Sequence, residues 1–92
     1  MSVEKTLRSY ILQNFLFTDD DSVLDNSDSF LEKGIIDSTG ILELISFLEE
    51  QIGIQIEDEE MIPENLDSID NLLAFISKKQ TKEWQKIKFF QS

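Results

Sequence analysis

Apolar positions recur at helical spacing in three places along this 92-residue chain, separated by stretches that lack it. Val3, Leu7, Tyr10 and Ile11, thickened by Leu12, Phe15 and Leu16, predict a helix over residues 3–16, with Ser2 placed to cap it. Residues 17–36, FTDDDSVLDNSDSFLEKGII, are rich in Asp, Ser and Asn and read as a connection. Val23, Leu24, Phe30 and Leu31 would pin that connection to the core. A second helix is predicted from Ser38 to Ile52, with Ile41, Leu42, Leu44, Ile45, Leu48 and Ile52 on one broad face. Thr39, Glu43, Ser46 and Glu50 fall opposite, with Phe47 at the margin. Gly53 supplies the left-handed backbone that stops a helix. IQIEDEEMIPENLD is too short and too charged for a strand pair, so we expect one helical turn near 58–62 and then a loop through Pro63. Asp67-Ser68 offers a cap for a last helix with Ile69, Leu72, Leu73 and Ile76 on one face. The expected fold is a small all-α four-helix bundle, with three longer helices and a short third one.

Composition narrows the function classes. The chain has no cysteine and no histidine, which removes disulfides, thiolate metal sites, and the usual general base and zinc ligand. An enzyme with catalytic residues of its own is not expected, nor is a bound metal. The Asp-rich connection lacks the alternating oxygens, central glycine and closing glutamate of a calcium loop. No apolar run approaches the roughly 20 residues of a membrane span, and no signal peptide is evident, so a cytoplasmic setting is expected. Charge is uneven. Residues 1–77 hold 18 acids against three bases, a net −15, whereas residues 78–92 hold five lysines and one glutamate, a net +4. So acidic a body repels nucleic acid and anionic membranes and attracts basic protein surfaces.

The Asp37-Ser38 pair raises the sharpest question. Either residue could cap the second helix, stabilising it by about 1 kcal/mol. Alternatively, the serine hydroxyl is held out for chemistry. Around it, G-I-I-D-S is preceded by F-L-E-K-G and followed by an apolar helix, the segment E-E-Q-I-G-I-Q-I and the terminal D-S-I-D-N-L-L-A-F-I. Over residues 3–79 this layout resembles the acyl carrier and peptidyl carrier protein family. The resemblance implies that Ser38 is esterified to 4′-phosphopantetheine by a separate phosphopantetheinyl transferase. The arm's thiol would carry an acyl or aminoacyl group as a thioester, bringing the sulfur this chain lacks. Asp37 matches the family's aspartate before the serine and is expected to help position the hydroxyl. The resemblance also assigns partner recognition to Thr39, Glu43, Phe47, Glu49 and Glu50 on the second helix. Expected partners are an adenylating or acyl-loading enzyme and downstream condensing or tailoring enzymes, met by a monomer.

One departure bears on the cargo. The commonest fatty-acid pattern has leucine and then an acid after the serine, whereas Thr39-Gly40 follows here. Glycine in a first turn costs about 1 kcal/mol of helix propensity, so Gly40 points to a close approach by the arm or a partner. The resemblance is then to stand-alone carriers of amino acids or specialised acyl groups, as in nonribosomal peptide or polyketide biosynthesis. Alternatives are a fatty-acid synthesis carrier and a non-carrier acidic interaction domain. The carrier domain is expected over 1–79. Residues 80–92, basic and aromatic with Trp84, Ile87 and Phe90 three apart, read as a helix extension or mobile end.

Overall fold

A computed structural model describes the backbone of residues 2–91 and the side chains of residues 2–80. Its described residues form helices joined by loops. The first helix, α1, spans Val3–Ile11 and widens into a π-helical turn over Leu12–Leu16. Ser2 caps it, its hydroxyl accepting from the Lys5 N–H. The second, α2, spans Ser38–Phe47 and widens in the same way over Leu48–Ile52, before Gly53 turns left-handed at φ 86°. The third, α3, is a single turn, Pro63–Leu66, and α4 runs Ile69–Gln91. No helix among the described residues is long and apolar enough to cross a membrane.

Both main helix spans lie where the apolar spacing and the caps put them. The third helix does not. The helical turn expected at 58–62 is a short 3-10 turn at Asp58–Glu60, and Pro63, read as loop, opens α3. Proline suits a first helical position because its fixed φ is already helical and its missing N–H would have had no partner.

The core is one cluster that includes Leu7, Ile11, Leu24, Phe30, Ile36, Leu44, Leu48, Leu66, Ile69, Leu72, Phe75 and Ile76. At about 25 cal/mol per Å² of apolar surface removed from water, this burial is the main force closing the bundle. Leu42, expected in the core, is 63% exposed. It stands at the edge of the broad face, beside Ser38 rather than over the core. The long connection keeps Leu24 and Phe30 buried, while Val23 and Leu31 stand out of it.

That connection is fixed chiefly by polar groups. Arg8 reaches from α1 to the Asp21 carboxylate at 2.9 Å and donates to the backbone carbonyls of Asp21 and Leu24 and to the Asn26 side chain. Farther along, Asp67 accepts from the Ser29 hydroxyl and the Leu31 N–H, and Phe30 N–H donates to the Asp67 carbonyl at 2.8 Å. The stretch leading into α2 is therefore stapled to the junction of α3 and α4. On the other side, Lys79 of α4 pairs with Glu60 at 2.8 Å and holds the 3-10 turn ahead of α3. The tail residues Trp84, Ile87 and Phe90 lie on the helical backbone of α4, but their side chains fall outside the described residues.

Candidate functional site

The start of α2 separates the two roles that Asp37 and Ser38 could share. Asp37 is the cap: its backbone is extended, and its carboxylate accepts from the Gly40 N–H at 2.7 Å. Ser38 is the first helical residue. It is exposed, and its hydroxyl makes no hydrogen bond among the described residues. With the helix capped by its neighbour, the serine is left as an outward hydroxyl at the positive end of a helix dipole, an environment that favours an attached phosphate ester.

Beside Ser38 lies an apolar notch that the spacing of residues did not reveal. Leu31, Ile41, Met61, Ile62, Pro63 and Leu66 line it together with Ser38 and Asp67, and its volume is about 190 Å³. Leu31, Met61 and Ile62 are exposed around it, and Leu42 stands one turn above Ser38. The sequence signals were Met61-Ile62 directly before a proline and the leucine four residues after the serine. The first falls in the helical turn expected near 58–62, and the second on the face of the second helix expected to be buried.

The side chains expected to meet partners divide into two groups. Thr39, Glu43 and Glu50 are exposed, as the helical spacing requires. Phe47 is half-buried and stacks on Tyr10, with ring centroids 3.9 Å apart and planes 15° from parallel. Glu49 accepts from the Ile56 N–H at 3.2 Å and so holds the segment after α2. On the same flank the Tyr10 hydroxyl donates to the Glu43 carbonyl at 3.2 Å, and partial burial, with the Glu43 charge nearby, raises the Tyr10 pKa above its ordinary value. The flank of α2 toward α1 is thus braced by aromatic packing, and the flank toward α3 carries the notch.

Gly40 serves the chain itself rather than an arm or a partner. A β-carbon built on it would lie 2.9 Å from the Phe15 ring and 2.9 Å from the Ile36 side chain. The first turn of α2 presses against the end of α1 too closely for any side chain.

No family model matches the chain. Among curated proteins it is similar to the probable acyl carrier protein PigG of Serratia sp. (strain ATCC 39006), at 28% identity over 76 residues, 83% of this chain and 86% of that one. Among solved structures it is similar to a chain in one titled "Crystal structure of FAD-dependent dehydrogenase", with 31% identity and a TM-score of 0.65, covering 76% of this chain and 97% of that chain. The four-helix layout, the serine at the start of α2 and the relative of nearly equal length converge. In sequence and in helical layout the chain is similar to acyl carrier proteins.

Proposed function

We propose that Ser38 carries 4′-phosphopantetheine and that the chain holds a small aminoacyl or short acyl group for specialised biosynthesis. The observation that carries this reading is the division of labour at the start of α2. Asp37 caps, and Ser38 is exposed, with no hydrogen bond to its hydroxyl among the described residues. The Ser38 oxygen would attack the pantetheine-bearing phosphorus of coenzyme A's pyrophosphate, taking the 4′-phosphopantetheinyl group, giving up its proton and releasing adenosine 3′,5′-bisphosphate. The arm supplies a terminal thiol on which cargo is held as a thioester.

The chain's own residues do the rest. Asp37 fixes the first turn and leaves one carboxylate oxygen free to orient the incoming transferase. The notch offers apolar surface within reach of the serine. At about 190 Å³ it falls below the 300–1,000 Å³ of pockets that enclose drug-sized ligands, which favours small cargo over a long fatty chain. Exposed Glu43 and Glu50 give α2 the negative potential that draws a basic partner surface.

The expected partners are a phosphopantetheinyl transferase, an adenylating enzyme that loads the arm, and a tailoring or condensing enzyme. A flavin-dependent dehydrogenase is the tailoring class favoured by the structural relative. Coexpression with a transferase followed by intact-mass measurement tests the proposal. One phosphopantetheine is expected, on the peptide containing Ser38. Modification that persists in Ser38→Ala, or none in the native chain, removes it.

A further inference from the structure

The two long helices before the third end alike but not in the same residue. In each, a π-helical turn is followed by a residue in the left-handed region, whose N–H returns to the first carbonyl of that turn. After α2 the residue is Gly53, the usual choice where a β-carbon is penalised. After α1 it is Phe17, at φ 55°. A bulky aromatic is an uncommon occupant of this region. Phe17 is also 83% exposed, the most exposed large apolar side chain among the described residues. Neither folding nor capping accounts for an exposed phenyl ring at a position that glycine fills better.

Its surroundings indicate what it meets. Two residues earlier, Phe15 touches Gly40 in the first turn of α2. Phe17 is therefore within about 7 Å of chain from a residue that abuts the Ser38 turn, and it belongs to the same end of the bundle. Three aspartates follow it, and two of them fold the loop: Asp20 accepts from Ser22, and Asp21 pairs with Arg8. Asp19 makes no hydrogen bond or ion pair among the described residues, and it lines one shallow cleft with Phe17, Gln13 and Thr18. An exposed ring beside an unengaged carboxylate is complementary to an apolar pocket rimmed by lysine or arginine.

We infer that Phe17 and Asp19 form a second docking surface, engaged by the phosphopantetheinyl transferase when it acts on Ser38. The inference rests on the reading of Ser38 given above. Geometry singles out this partner. Enzymes that act on the cargo reach it through a long flexible arm and can sit anywhere around the serine. The transferase must bring its active site to the hydroxyl itself, so it covers the start of α2 and the end of α1 that touches it.

The test is attachment kinetics with a purified transferase of broad specificity and coenzyme A, using Phe17→Gly, Phe17→Leu and Asp19→Lys. Phe17→Gly relieves the left-handed backbone and should melt no lower than the native chain, so lost folding cannot explain a lost rate. Its kcat/KM for attachment is expected to fall roughly tenfold, mostly through KM, the scale of a buried aromatic anchor. Phe17→Leu should recover part of the loss. Asp19→Lys should fall several-fold, and added salt should weaken the native chain more than this variant. Native kinetics in Phe17→Gly would overturn the inference while leaving Ser38 as the attachment site. A native chain that takes no arm removes both. A dimer in sedimentation that Phe17→Gly dissolves would assign the ring to a second copy of this chain instead and would equally overturn it.

Discussion

The chain contains the dipeptide Asp-Ser before an apolar helix twice, at residues 37–38 and 67–68, and the two copies do opposite things. In the second, Ser68 is the cap. It is 6% exposed, its hydroxyl accepts from the Asn71 N–H at 3.0 Å, and α4 begins one residue later. Asp67 is released from capping and staples residues 29–31. In the first, the helix begins at the serine, so the aspartate caps and the hydroxyl stays free. The difference is one residue of register. Which member of the pair becomes the cap decides which member is left for other work, and composition alone does not tell them apart.

The contrast can be broken by moving each role. The largest effect is expected from the serines: Ser38→Ala should abolish phosphopantetheine attachment, read by intact mass, with stability nearly unchanged because the cap is Asp37. Ser68→Ala should keep attachment and lose about 1 kcal/mol in urea titration. The aspartates come next. Asp67→Ala is expected to cost about 2 kcal/mol, since the Ser29 hydroxyl and Leu31 N–H lose their acceptor together. Asp37→Ala should cost about 1 kcal/mol and also slow attachment, a pairing that Asp67→Ala should not show at matched folded fraction.

The smallest effect concerns the brace on the α1 side of α2. Tyr10 donates to the Glu43 carbonyl, and its folded pKa lies above the ordinary value of 10.0. The folded state therefore holds this proton more tightly than the unfolded chain does. The stabilisation is present below pH 10 and disappears as pH rises through the higher folded pKa. Tyr10→Phe should flatten that part of the stability-against-pH curve. Equal slopes in the two chains would mean that the hydroxyl contributes nothing.

The helices were legible because their signals are local. Ser2 and Gly53 mark ends, and the apolar stripes of residues 3–16 and 69–76 mark faces. The candidate attachment residue was legible from its neighbours in sequence. What surrounds it was not. Leu42 satisfies a helical periodicity as well as Leu44 does, and only the packing of the other elements decides that Leu44 is buried while Leu42 is exposed. Arg8 looked like one base among many acids, because its four acceptors come from residues 13 to 18 positions away. The stacking of Phe47 on Tyr10 was hidden for the same reason, because the two rings lie on different helices.

The contact between Gly40 and Phe15 limits how this chain can be rebuilt. Second helices are the natural cassette to exchange when a carrier is to be redirected to another set of enzymes. A cassette of the commonest fatty-acid pattern would put an acidic side chain where Gly40 stands, against a phenyl ring and an isoleucine 2.9 Å from its β-carbon. Such a chimera would have to bury a charge among apolar atoms or push the end of the first helix aside, and either outcome is destabilising. The exchangeable unit in this chain is therefore the second helix together with the last turn of the first.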